Sequence, residues 1–557
     1  MPASDDPTDG ARTGTPPSSV DPVELPHGVA VGDVTPQTAV FWTRTAEPAT
    51  VHVEYATTPD FSDSTRATPA AAQSTTDNTA KIRVAGLDSN TTYHYRLWAY
   101  QGRGAAEGYD PPESTRTGSF TTPPAPDTSD SVSLVWSGDT FGQGRWPPYK
   151  VFEQMVAHEP DTFLYLGDTI YADSESPAVP DGDPEGLADY RAKYKENRAK
   201  CPHLRDLLAS TNVVSIWDDH EVENDWAGSA HPLMPAGRQA FFEYWPIDEH
   251  TDVTGDRDHR LYRSFRYGNA LELIVLDERQ YRDKNVVPDN PTKTMLGDHQ
   301  REWLKSQLAN SDATFTLVAS STSICSVSSD PHERDGWASG DSNTGFEHEL
   351  QDIVDHIDSE VDSTVVFLTG DRHCARMASY DPDRDGTPEF HEVMATPIGA
   401  YTRDPEPIDD SFEPTLHYEE GGKYELGEFY NFGRVDVDGD TLTIGIYDKV
   451  GDCRAELQLT ADGAWPRYEE DPDGTRAPNS TDGSSSDSTA TDGGQPVGED
   501  TVSGIAGFHA TASGPDATPD SAGRRDRAEA DEPTDTRRRT LRNAIDHVVD
   551  TLLGLWR

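Results

Sequence analysis

Four apolar stretches of this chain run straight into a carboxylate or a histidine. They are Leu134-Val135-Trp136-Ser137-Gly138-Asp139, Phe163-Leu164-Tyr165-Leu166-Gly167-Asp168 with Tyr171 just beyond, Val213-Val214-Ser215-Ile216-Trp217-Asp218-Asp219-His220-Glu221, and Val365-Val366-Phe367-Leu368-Thr369-Gly370-Asp371-Arg372-His373. Each reads as a buried strand. Helical segments lie between them, for example Tyr149 to His158 and Gln300 to Leu308. Strand–helix alternation implies a layered α/β sheet. Ligands of such sheets sit at the carboxyl ends of the strands, so the four ends bring hard oxygen and imidazole donors to one edge. Several converging there can hold two metal ions, an arrangement suited to in-line displacement at phosphorus.

Each end supplies its own candidates. Asp168 follows a strand and a glycine, and its two oxygens can bridge two cations. Tyr171 is the right residue type for a phenolate ligand to trivalent iron, since an ordinary Tyr pKa of about 10 demands a strong Lewis acid. Asp218 and Asp219 repel one another unless a cation neutralises them. Asp219 is therefore the expected ligand, His220 the candidate acid for the leaving group, and Asn224 a residue that orients the loop or binds substrate. The same run also suits an N-cap cluster before a helix, with Glu221 and Glu223 favouring the dipole. Asp371 and His373, two apart in an extended chain, would share one side of it. Arg372 would then point away, or turn back as a phosphate clamp. Asp139 is the expected terminal ligand from the first strand. The Gly-rich Thr140-Phe141-Gly142-Gln143-Gly144 that follows is a weak phosphate cradle when taken alone.

The formal net charge is −54, with 46 Lys and Arg against 100 Asp and Glu. Such a surplus, with few lysines, suits a salt-saturated setting where repulsion is screened within about 3 Å at 1 M. An acidic mesophilic protein with an acidic tail is the blander reading. No basic stripe is available to release counterions from nucleic-acid phosphates, so no nucleic-acid binding is expected. Cys201, Cys325, Cys374 and Cys453 are isolated from one another, which argues against a zinc ribbon or a redox pair. No run of about 18 apolar residues is present, so no transmembrane segment is expected. Met1 to Pro22 lacks the apolar centre of a secretory signal, from which a cytoplasmic location is expected.

Residues 1–23 read as a disordered leader. Residues 24–123 read as an all-β sandwich: Val40–Arg44, Val51–Tyr55, Lys81–Val84 and Tyr93–Leu97 alternate between turns. Gly86 to Tyr95 resembles the stretch of fibronectin type III domains where a Tyr packs at a strand corner. Thr122 to Pro126 is Pro-rich and reads as a linker. Residues 130–461 hold the strand ends, closing with a hairpin over Val435–Ile444 that turns at Gly439. Residues 466–535 are rich in Asp, Gly, Ser and Thr and read as disordered. In residues 536–557, Leu541, Ile545, Val548, Leu552 and Leu555 recur at helical spacing behind Arg537–Arg539. That amphipathic helix would dock, self-associate or lie on a membrane.

The motifs carry a resemblance. Gly28-Val29-Ala30-Val31-Gly32-Asp33 with Trp42-Thr43-Arg44, Leu166 to Tyr171, Trp217 to Val222, Leu276-Asp277-Glu278-Arg279-Gln280-Tyr281-Arg282, and Thr369 to His373 look like the PhoD-type alkaline phosphatases. The likeness covers about residues 24–460, in the family's order. It implies a fibronectin-like domain joined to a calcineurin-like metallophosphoesterase domain. It also implies hydrolysis of phosphate monoesters, and of diesters, at alkaline pH by a hydroxide generated in a two-metal site of Fe3+ and Ca2+. On this resemblance Asp168 bridges, Tyr171 and His373 serve the iron, and Asp219 and Asp371 serve the second metal. His220 and Arg372 are the catalytic candidates, and Asn224, Arg279 and Arg282 the substrate-binding ones. The chain departs from the family at Gly138-Asp139, where many members have Ser-Cys, and in lacking a twin-arginine signal. Two other readings stand beside it. One is a phosphodiesterase or phospholipase D-like hydrolase using the same site. The other is a non-catalytic surface- or carbohydrate-binding protein whose fibronectin-like module matters most.

Overall fold

The computed structural model describes residues 21–102, 111–140, 149–249, 259–327, 335–338, 344–422 and 429–461, and two short strands beyond them. The stretch 536–557 expected as an amphipathic helix, most of the leader and residues 141–148, which include Phe141 to Gly144 of the Gly-rich phosphate-cradle candidate, lie outside the described residues. No helix among the described residues is long and apolar enough to cross a membrane.

Val132–Ser137, Thr162–Leu166 and Asn212–Ile216 lie side by side and parallel. They form the centre of a nine-stranded sheet. Asn431–Asp438, Thr441–Asp448 and Cys453–Thr460 extend it antiparallel on one flank. The turn of the first pair places Gly439 at φ +59°, a conformation that glycine adopts without steric penalty. A second sheet has Leu271–Val275, Phe315–Ala319, Thr364–Thr369 and Phe390–Ala395 in parallel order. Arg263–Tyr267 flanks one side, with Ala375–Tyr380 and Pro414–Glu420 on the other.

The period-two pattern of the second sheet explains its layering. Leu317, Val366 and Leu368 join the core shared with the first sheet, together with Leu134, Leu164 and Val214. Their neighbours Val318, Val365 and Phe367 face helices Gly297–Asn310 and Glu347–Glu360 through Leu304, Leu350, Ile353 and Ile357. Each such burial contributes about 1.5–3 kcal/mol. A one-residue slip would reverse every partner, so the register is tightly specified. Four more helices, Lys150–Ala157, Leu187–Lys200, Pro202–Ser210 and Met234–Tyr244, pack into the core of the first sheet through Phe152, Tyr194, Leu207 and Phe241.

The all-β module is present as a six-stranded sheet facing Val29–Gly32, Thr38–Arg44 and Thr79–Ala85 over Val31, Phe41, Val53, Tyr95, Leu97 and Phe120. The Tyr93 hydroxyl accepts the Asp88 N–H at 2.9 Å, tying the corner. Those facing strands also continue the nine-stranded sheet, because Val29–Gly32 pairs in parallel with Asn212–Ile216. Gly32 is required there: a Cβ would lie 2.5 Å from Pro246 Cγ and 2.6 Å from the Val213 carbonyl. Asp33 next to it receives both arms of Arg263, at 2.9 and 3.1 Å. The segment expected as a loose linker is pinned, since Pro124 accepts the Gly268 N–H at 3.2 Å.

Two expectations of disorder shift at their edges. Pro22–Val23, placed in the leader on composition, pairs with Ala99 and Tyr100. Val23 is buried, and Pro at the start of an edge strand lacks only a donor that pairing does not need. Within 466–535, Tyr468–Glu470 pairs with Arg476–Pro478. All four cysteine thiols are free.

Candidate metal centre

Three of the four strand ends share a backbone device. Asp139, Asp168 and Asp371 have φ of +60°, +47° and +70°, and His373 has +55°. These are left-handed conformations, uncommon for residues with a Cβ and best tolerated by Asp, Asn and His. Strained backbone of this kind clusters at functional sites. Each of these strands therefore turns sharply as it ends and leaves its donor at the sheet edge. The expectation that Asp371 and His373 share one side of an extended chain is corrected. Residues 371–374 form bends, and two left-handed turns replace the extended geometry. The turns also pack closely: a Cβ on Gly167 would lie 2.6 Å from Asp218 Cβ.

Three groups of donors result, each with its atoms within 4.8 Å: Asp139, Asp168 and His373; Asp168, Asp219 and His220; Asp219, Asp225 and Asp335. Asp168 belongs to the first two and Asp219 to the last two. The Tyr171 hydroxyl stands 3.2 Å from His373 Nε2, and His373 Nε2 is 3.6 Å from Asp139 Oδ1. Asp371 lies outside the three groups, although its charge raises the carboxyl pKa of both Asp218 and Asp225.

His220 sits between the site and Asp173, whose Oδ1 is 2.6 Å from His220 Nδ1. The His220 N–H donates to Asp168 at 3.2 Å. Asn224 is exposed; its N–H donates to Asp173 and its side-chain amide to Asp225. No helix starts after Trp217-Asp218-Asp219-His220. The chain runs through turns until Met234–Tyr244, because Asp219 accepts the N–H groups of Val222, Glu223 and Asp225 and Glu221 accepts that of Asp218, which holds a tight loop instead.

The arginines are enclosed by acids. Arg279 is fully buried, with Nε 2.5 Å from Asp218 Oδ1 and Nη2 2.6 Å from Asp335 Oδ2. Arg282 lies beside Asp335 at 3.3 Å and against the Phe346 ring. Arg372 donates from Nε to Ser323 Oγ at 3.2 Å and lies 3.4 Å from Asp371 and 3.5 Å from Glu406. Sequence reasoning missed Asp173, Asp225 and Asp335. Asp225 carries a faint signal in its place beside Asn224; Asp335 follows no strand end, and nothing in its local sequence marks it.

Electrostatics supports a cation. Burial pushes the Asp168 carboxyl well above its ordinary range, reinforced by Asp219 and Asp218. Burial likewise takes Asp225 up to about 7, with Asp335 and Asp219 adding to it, and Asp371 up to about 6. Burial, then Asp168, holds the Tyr171 phenol protonated. For His220 burial favours the neutral ring, but Asp173 and Asp219 outweigh it and push the imidazole up to about 10. Asp139 Oδ2, Asp219 Oδ1, Asp371 Oδ2 and His373 Nδ1 are buried and have no hydrogen-bond partner. Buried polar atoms are almost always satisfied. Such atoms, buried without a hydrogen bond among crowded carboxylates, fit multiple bound metal ions.

Comparison with known proteins agrees with this geometry. The family model described as PhoD-like phosphatase matches residues 134–444, and that of the PhoD-like phosphatase N-terminal domain matches residues 11–124. The chain is 27% identical over 405 residues to alkaline phosphatase D of Bacillus subtilis (strain 168), covering 65% of this chain. It spans 66% of that relative, just under two thirds of its length. A solved structure of PhoD superposes with a TM-score of 0.65 at 22% identity, over 79% of this chain and 91% of the other. Purple acid phosphatase PPD1 from yellow lupin seeds superposes at 0.53 with 13% identity, over 78% and 73%. At these identities the two structures speak to the fold.

Proposed function

The chain belongs to the PhoD-like phosphatase family, and on that premise we propose that it hydrolyses phosphate esters, monoesters first and diesters by the same site, at alkaline pH. The observation that carries this reading is the shared ligand: Asp168 stands in two donor groups at once. Metal ions bound there supply Lewis acidity, a lowered pKa for water and neutralisation of charge on the phosphoryl oxygens. Asp139, Asp168, His373 and Tyr171 would hold one ion, and Asp168, Asp219 and Asp371 the other. Fe3+ fits the first set, because a buried phenol beside carboxylates gives up its proton only to a strong Lewis acid. Ca2+ fits the oxygen-rich second set.

The remaining residues act on substrate and proton. His220, kept cationic by Asp173, offers a proton to the departing alkoxide. Arg372 Nη2 is buried and unpaired and is the guanidinium best placed to take a phosphoryl oxygen. Arg279 and Arg282 support that region through Asp335 and Asp218. Asn224 orients the His220 loop. A non-catalytic role finds no support in these residues, since every strand end keeps its donor. Metal analysis by mass spectrometry on protein purified in high salt, paired with rates on a monoester and a diester, tests the reading. Metal-free protein that still hydrolyses either ester would overturn it.

A further inference from the structure

Glu221 is fully buried, yet its carboxylate faces backbone. Oε2 accepts the Asp168 N–H at 3.2 Å and the Asp218 N–H at 2.8 Å. Oε1 accepts the Thr169 N–H and the Thr169 hydroxyl, both at 2.6 Å. One side chain thus joins the turn after Thr162–Leu166 to the turn after Asn212–Ile216. We propose that Glu221 is the positioning residue of the metal centre, fixing the separation between Asp168 and Asp219 and so the spacing at which two cations are held. The inference rests on the metallophosphoesterase reading above.

The physical argument has three parts. Asp168 sits at φ +47°, a conformation that persists only where its surroundings hold it. Its N–H is held at 3.2 Å by the same carboxylate oxygen that takes the Asp218 N–H of the other turn at 2.8 Å. A buried carboxylate is itself tolerated only when its lone pairs are satisfied, and these four donors satisfy Glu221. The two turns also meet at Gly167 and Asp218 with no room for a Cβ, so they move together. Glutamine has nearly the same shape but presents an NH2 to one pair of donors, which forces the turns apart. Groups that orient metal ligands typically affect affinity about 10- to 100-fold.

The test uses the full chain stripped of metal and titrated with Co2+ by calorimetry, with far-UV circular dichroism as the check on folding. Glu221→Gln is expected to keep the fold and to bind Co2+ about 10- to 100-fold more weakly. Thr169→Val, which removes one of the four donors, should shift affinity in the same direction by less, and it carries the test if Glu221→Gln does not fold. Ile357→Ala, a destabilising change in the distant helix core, should lower the melting temperature and leave Co2+ affinity unchanged. Wild-type affinity in a folded Glu221→Gln, or in Thr169→Val when that variant carries the test, would overturn the proposal and leave Glu221 a packing residue. Equal weakening in Ile357→Ala would also overturn it. A wild-type chain that binds no Co2+ would instead overturn the metal centre on which it rests.

Discussion

The Tyr171 hydroxyl lies 3.2 Å from Nε2 of His373, joining two strand ends 202 residues apart in sequence. The Tyr171 ring also lies against His220, 4.1 Å between centroids. Tyr171 is thus fixed on both sides, and its phenol is held protonated by burial and Asp168. Iron-loaded protein should show a visible phenolate charge-transfer band that Tyr171→Phe abolishes. A colourless, fully active enzyme without iron would reject the phenolate. It would also indicate that the donor set containing the Asp139 carboxylate holds divalent metals instead.

Asp168→Ala removes the residue that the donor group of Asp139 and His373 shares with the donor group of Asp219 and His220. Both ions should be lost together, and turnover should fall by at least the roughly 10²- to 10³-fold that removing a single transition-state donor costs elsewhere. Metal content by mass spectrometry and rates on a monoester check this. Two ions retained per chain would remove the bridging role.

Strand ends are legible because a buried strand must be apolar and its terminus is where polarity can return. That logic gave Asp139, Asp168, Asp219 and His373 as neighbours. It erred on Asp371-Arg372-His373, because a period-two argument holds only while the chain stays extended, and φ is positive at both Asp371 and His373. Asp335 was invisible, since what brings it to the site is Arg279, a residue far away in sequence. The continuation of the sandwich strands into the catalytic sheet was equally hidden. Val29–Gly32 is an unbroken apolar run buried on both faces, which does not tell which strand lies beside it.

His27 gives a prediction about pH. Burial first, then Arg44 and Arg198, push its imidazole down to about 4. The folded state therefore prefers the neutral ring, while the unfolded chain protonates near 6.5. The associated stability is fully present above pH 6.5 and is lost as pH falls from 6.5 toward 4. Its ceiling is about 3 kcal/mol, at about 1.4 kcal/mol per pKa unit. Denaturant unfolding of wild type and His27→Gln should diverge most above pH 6.5 and converge toward pH 4. Parallel curves through that window would show that His27 is not the group concerned.

Net charge gives another. At −54 self-repulsion should destabilise the compact chain in dilute buffer, where charges interact over about 30 Å at 0.01 M against about 3 Å at 1 M. The melting temperature and activity should both rise steeply between low and molar KCl. Buried pairs such as Arg263 with Asp33 are little screened, so the gain should come from the surface. A melting temperature unchanged across that range would reject dependence on high salt.

The last prediction separates an acid from a ligand at His220. Its Nδ1 is 2.6 Å from Asp173, and its own backbone N–H reaches Asp168, so the ring is held beside the metal ligands by two attachments. Asp173 and Asp219 favour the imidazolium, while a cation on Asp168 or Asp219 acts in the opposite direction. Asp173 is thus the partner that keeps the proton available in the loaded enzyme. An acid matters when the leaving group is a poor one, and its contribution is about 10²- to 10⁴-fold. His220→Ala should slow alkyl phosphate hydrolysis by that factor and nitrophenyl phosphate hydrolysis far less, with metal content unchanged. Asp173→Asn should show the same selectivity in weaker form, and in the double variant it should add little to His220→Ala, because both act through one proton. Equal slowing of the two substrates, or loss of a metal ion in His220→Ala, would make His220 a ligand of the Asp168–Asp219 pair. The proton for the leaving group would then have to come from water.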